Sequence, residues 1–174
     1  MVPEKARKRR AKEMEVHPVA LTIVEACRLV AAEFPLGARE QVVQSALEAE
    51  LQLARLTVRR EVPVPIIYRD MPLGHDARGR EDLVVIDGDA YFILELKQGA
   101  RLAPKDFQQL YRYMIQRTRE RRHVHGMLVL FGETHTEVWY ARAGETIERV
   151  MLLSSECAAT PVVTHQEYTV TARP

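Results

Sequence analysis

Apolar positions recur at helical spacing twice near the start of the chain. Ala20, Ile23, Val24, Cys27, Val30, Ala31 and Phe34 form one stripe and predict a helix over residues 18–34. Pro18 suits the first helical position, and Pro35 with Gly37 ends the run. A second helix is expected from about Ala38 to Arg55, with Val42, Val43, Ala46, Leu47 and Leu53 apolar. Residues 62–68, Val-Pro-Val-Pro-Ile-Ile-Tyr, read as extended, and their two prolines restrict them to a sheet edge or a strand start. Residues 69–81 read as loop. Two strands follow, Asp82–Asp87 and Ala90–Lys97, joined around Gly88-Asp89. Pro104 opens a helix expected to reach about Arg122, burying Phe107, Leu110, Tyr111, Met114 and Thr118. Strands are expected at His125–Phe131, Thr136–Ala141 and Ile147–Leu153. A short one is expected near Val162–Val163 or Tyr168–Val170.

The order α-α-β-β-β-α-β-β-β places the chain in the α/β class, as a mixed sheet flanked by helices. The β-helix-β step from 97 to 125 predicts a crossover between parallel strands. At 174 residues, with 47% apolar and 28% charged, one soluble domain is expected. It would occupy residues 17–153, between a basic arm (1–16) and a C-terminal extension (154–174). No apolar run is long enough for a membrane helix, and the N-terminus lacks a signal-peptide core. Cys27 and Cys157 show no CxxC spacing and no disulfide framework, so an intracellular compartment, cytoplasm or nucleus, is expected.

The net charge of +1 hides an asymmetry. Lys5, Arg7, Lys8, Arg9, Arg10 and Lys12 against Glu4 give residues 1–12 a charge of +5, which leaves −4 on the rest. Such a run is an arm for polyanions, with Lys8, Arg9 and Arg10 as candidate nucleic-acid contacts, or a nuclear address, or a solvated terminus. A second basic group, Arg112, Arg117, Arg119, Arg121 and Arg122, falls at the end of the third helix, where cations suit the helix dipole. The spacing of Arg112, Arg119 and Arg122 puts them on one face, either solvated or able to follow a phosphate backbone.

Residues 80–97 gather opposite charges on a hairpin. Phe92, Leu94 and Leu96 point one way on the second strand, and Tyr91, Ile93, Glu95 and Lys97 the other. A two-residue turn at Gly88-Asp89 would set Asp82 directly opposite Glu95, and a turn at Asp87-Gly88 would set them diagonally. Strict alternation puts Asp82, Glu95 and Lys97 on one face in both registers. Neighbouring carboxylates repel without a cation between them. Mg²⁺ fits, since it takes oxygen ligands and keeps sites for water and phosphate. Arg80 and Lys97 could instead neutralise the pair as ordinary ion pairs.

These residues resemble the GxxExxY family, a branch of the PD-(D/E)XK nuclease superfamily, over about residues 20–132. Gly37-Ala38-Arg39-Glu40 is similar to its Gly-x-x-Glu, Arg80-Glu81-Asp82-Leu83-Val84 to its Arg-x-Asp-Leu strand, and Glu95-Leu96-Lys97 to its Glu-Leu-Lys. Gln109-Leu110 with Tyr113, and the strand from Gly126 to Phe131, match later elements, whereas Val43 replaces the family's tyrosine. The resemblance implies a restriction-endonuclease-like fold. It makes Asp82 and Glu95 ligands of Mg²⁺ (or Mn²⁺) and Lys97 the catalytic lysine. Glu40 becomes an acid/base or water-mediated ligand, and Gln109 a holder of substrate or water. The expected activity is metal-dependent hydrolysis of nucleic acid, DNA rather than RNA. A catalytically idle nucleic-acid-binding or scaffolding module, possibly packaged with nucleic acid through its arm, is the alternative. A homodimer would suit the cutting of two strands, though no motif specifies one.

Among the remaining features, His123 and His125 alternate as a transition-metal pair would, without an evident third ligand. Asp87-Gly88-Asp89 is turn chemistry. Cys27 belongs to the apolar stripe, and Trp139-Tyr140 reads as packing rather than a base-stacking platform.

Overall fold

The computed structural model describes residues 15–34, 38–74, 79–154 and 167–168. Helix α1 (Pro18–Glu33) begins where His17 Nδ1 accepts the Val19 N–H at 3.2 Å. It buries Val19, Ala20, Ile23, Ala26, Cys27 and Val30 at the three- and four-residue spacing of a single helical face. Helix α2 (Glu40–Leu53) buries Val43, Gln44, Leu47 and Leu51. It is shorter at both ends than its apolar pattern predicts, and Val42 and Leu53 are exposed. Helix α3 (Pro104–Thr118) is opened by its proline.

The described residues form nine strands: β1 (Thr57–Val64), β2 (Ile67–Tyr68), β3 (Met71–Pro72), β4 (Gly79–Asp87), β5 (Ala90–Gly99), β6 (His123–Gly132), β7 (His135–Arg142), β8 (Ile147–Ser154) and β9 (Glu167–Tyr168). Seven of them form one sheet in the order β1-β4-β5-β6-β7-β8-β9. Among the described strands only β5 and β6 pair in parallel, and α3 joins them, as the crossover pattern requires. All other neighbours in that sheet are antiparallel.

Two cores result. Phe92, Leu94, Met127, Val129 and Tyr140 meet α1 and α2 on one face of the sheet. Ile93, Leu128 and Trp139 meet Phe107, Leu110 and Met114 of α3 on the other. Helix α3 lies so close to β6 that a Cβ at Gly126 would collide with Met114 and Leu110. Burial pushes the Cys27 thiol up to about 12, as expected for a packing residue.

The structure corrects several sequence expectations. β1 is an edge strand, as Pro63 within it requires, but it starts at Thr57, because Arg59, Arg60 and Glu61 interrupt the apolar signal without ending the pairing. The stretch 69–81 is not all loop. Arg69 and Asp70 take positive φ (47° and 62°) and turn β2 into β3, and β4 begins at Gly79. Helix α3 stops at Thr118, so Thr118 is exposed and Arg122 lies off the helix. The arm (1–14), Gly37, Cys157 and Val162–Val163 fall outside the described residues. Among the described residues of the tail, Glu167–Tyr168 pairs with β8. No helix among the described residues is long and apolar enough to cross a membrane.

His125 is buried on β6, its ring stacked 4.5 Å from Phe92 and its Nδ1 2.8 Å from the Tyr140 hydroxyl. Burial, helped by the charges of His17 and Arg142, lowers its pKa to about 4 from the usual 6.5. Between those values the native state binds fewer protons than the unfolded chain. The contribution of His125 is therefore intact above pH 6.5 and lost as pH falls toward 4. His125→Phe removes this contribution, so the difference in stability between pH 7 and pH 4.5, measured by thermal unfolding, should change by up to about 3 kcal/mol relative to the wild type.

Candidate active site

The β4–β5 hairpin adopts the register with Gly88-Asp89 at its turn: Leu83 pairs with Leu94 and Asp87 with Ala90. That register would put Asp82 across from Glu95, but the ladder ends at Leu83. Beyond it the strands part, and the Asp82 carboxylate accepts the Leu96 N–H at 2.7 Å. The same position is irregular on the other side. β1 and β4 pair continuously from Thr57–Ile86 to Val64–Gly79 except at Glu61–Asp82, where Glu61 has φ +48°. Across this break the strands exchange faces. Leu83 and Val85 pack under α1 and α2, as does Val58, whereas Val62 and the Glu81 side chain face α3. Simple alternation therefore fails at Asp82, which sits at the pivot.

Glu95 is fully buried. Its Oε2 accepts from Gln109 Nε2 at 2.9 Å and from Lys97 Nζ at 3.4 Å. Its Oε1 is buried without a hydrogen-bond partner. Burial, with the nearby Asp82 charge adding to it and Lys97 opposing, raises the Glu95 pKa to about 8. Asp82 is itself raised, mainly by burial, with the Leu96 N–H and Lys97 opposing; the charges of Glu40 and Glu61 add to the rise. Five charged side chains from α2, β1, β4 and β5 are thus electrostatically coupled at one end of the hairpin.

Gln109 links this group to α3. Its Oε1 accepts from Lys97 Nζ at 3.4 Å and its Nε2 also reaches the Tyr113 hydroxyl at 3.3 Å. Tyr113 lies over the start of β4, where a Cβ on Gly79 would come within 2.5 Å of its hydroxyl oxygen. Glu40 is exposed on the first turn of α2, and Gln98 Nε2 bonds the Ala38 carbonyl, which ties that turn to the end of β5. Val43, at the position where a tyrosine was expected, is buried in the core beneath α2.

Sequence reasoning missed Glu81 and Arg117. Glu81 is fully buried and accepts from Arg117 Nε at 2.9 Å and from the Tyr91 hydroxyl at 2.9 Å. Arg117 also donates to the Pro63 carbonyl. Grouped in the sequence with the cations that suit the C-terminal end of the third helix, Arg117 instead fastens α3 to β4 and β1. The only available signal was its place on the apolar flank of α3, three residues after Met114. Arg112 and Arg119 are exposed, with Arg119 4.0 Å from Asp70, but Arg122 does not share their helical face. Lys8, Arg9 and Arg10 lie outside the described residues.

Residues 18–143 match the PD-(D/E)XK nuclease superfamily, and the chain belongs to it. The fold is the restriction-endonuclease-like mixed sheet with flanking helices. No curated protein and no solved structure gave a significant match. Nucleases of this superfamily generally use divalent metal ions. The donors here fit Mg²⁺ or Mn²⁺: one buried carboxylate oxygen lacks a partner and a second carboxylate is close enough to be felt. Among the described residues no three His, Cys, Asp or Glu side chains form a ready cage. Mg²⁺ needs none, since it takes one or two carboxylates and retains waters.

Without metal, Glu95 binds its proton far more tightly in the native state than in the unfolded chain. The contribution of Glu95 to stability should therefore fall as pH rises from about 4.5 to about 8, opposite in sign to that of His125. Thermal unfolding in chelator at pH 5.5 and 8.5 should show the loss, and Glu95→Gln should remove most of it. An unchanged slope in that variant would mean that Glu95 is not the titrating group.

Proposed function

We propose that this protein is a metal-dependent nuclease that hydrolyses phosphodiester bonds, with DNA as the preferred substrate and a site of the GxxExxY type. The observation that supports this most is the buried, unpartnered Oε1 of Glu95, a carboxyl that feels the Asp82 charge. Asp82 and Glu95 hold the ion, Mg²⁺ or Mn²⁺. When bound, it supplies a low-pKa water and neutralises charge on the scissile phosphate.

The chain's own groups do the rest. Lys97 Nζ is steadied by Gln109 and Glu95, which orients a point charge for the attacking water and the phosphate oxygens. Gln109 holds that ammonium and the Glu95 carboxylate in fixed relation. Glu40, exposed at the start of α2, takes up or returns a proton at its carboxylate, or holds a bound water. Exposed Arg112 on α3 and Arg119 just past its C-terminal end, with Lys8, Arg9 and Arg10 of the arm, meet the phosphate backbone. Cutting both strands of a duplex needs two such centres, which a second copy of the chain supplies.

The test uses the full chain with single- and double-stranded DNA and RNA, in Mg²⁺ and in Mn²⁺. Cleavage of at least one substrate is expected, with Lys97→Ala lowering kcat on the order of 10²-fold or more. Calorimetry should show Mn²⁺ binding that Asp82→Ala removes. A wild type that neither cuts nor binds Mn²⁺ would overturn the assignment.

A further inference from the structure

Gln44 is only 6% exposed, although it lies on the core-facing side of α2 beside Val43 and Leu47. Its amide is fully engaged. Nε2 donates to the Asp82 main-chain carbonyl at 2.9 Å and to Glu61 Oε1 at 3.1 Å, and Oε1 accepts from Arg60 at 3.1 Å. These partners surround the one missing rung between β1 and β4. A buried amide in an apolar layer is costly unless satisfied, so its placement answers a need at that point. Glu61 is held in the left-handed region, which a non-glycine residue adopts at a cost of about 1–3 kcal/mol and keeps only when its surroundings fix it.

We propose that Gln44 is a positioning residue: by gripping the Asp82 carbonyl and the Glu61 carboxylate, it fixes the break in pairing that turns the Asp82 carboxylate toward the Leu96 N–H. Gln44 touches neither Glu95 nor Lys97 through any of these bonds and acts through Asp82 alone. The consequence for ion binding rests on the nuclease reading; the geometric role does not.

Amide hydrogen exchange on the full chain separates the two. In Gln44→Met, which keeps the length and loses the bonds, exchange at Leu96 should quicken about tenfold or more while Val84 and Ile93, within the β4–β5 ladder, change little. Gln44→Glu keeps the shape but lacks the donors, and should give the same pattern. The Mn²⁺ dissociation constant from calorimetry should rise about 10- to 100-fold in both variants. Unchanged Leu96 protection would overturn the proposal, and so would protection lost equally at Leu96, Val84 and Ile93 in both variants, which would mark Gln44 as a general packing residue. A wild type that binds no Mn²⁺ would defeat the nuclease reading, with the exchange pattern still deciding the role of Gln44.

Discussion

A carboxylate sealed from water with one oxygen bonded and the other bare governs this molecule. Glu95 Oε2 has Lys97 and Gln109; Oε1 has nothing, and the Asp82 charge is near. A buried acceptor left unpaired costs about 1–3 kcal/mol, and more when charged. Two things relieve that cost: a proton, which accounts for the pKa near 8, or a cation. Lys97 relieves it only in part, because it reaches the oxygen that is already served.

The surrounding fold holds this arrangement in place. β5 lies inside the sheet between β4 and β6, so Glu95 cannot turn out to solvent. The parallel crossover returns α3 over that strand and delivers Gln109. The Glu81–Arg117 pair locks α3 to β4 and β1; losing one partner of such a pair leaves an uncompensated buried charge. On the other face α2 supplies Gln44 to the pairing break and Glu40 to the rim. Helices from both layers therefore converge on one end of one hairpin.

Much of this was legible in the sequence because period and turn chemistry are local. The 3.6-residue stripe of α1, the proline opening α3, the turn at Gly88-Asp89 and the charges of Glu95 and Lys97 all follow from short spans. The failures were non-local. Nothing around Glu61, which is not a glycine, announces a left-handed residue inside a strand, so alternation was carried through Asp82 when the strands in fact exchange faces there. Arg117 reads in the sequence as one of several cations at a helix end, because its partner Glu81 is 36 positions away on a stretch read as loop. The sequence also placed Arg122 on α3, because charged residues continued the pattern past the helix end at Thr118.

The most direct measurement is anomalous diffraction from crystals of the full chain soaked in Mn²⁺. A single peak about 2.1 Å from Glu95 Oε1, and equally close to an Asp82 carboxylate oxygen, is the predicted result. A peak elsewhere, or an Oε1 with no ion while Mn²⁺ occupies other sites, would contradict the account.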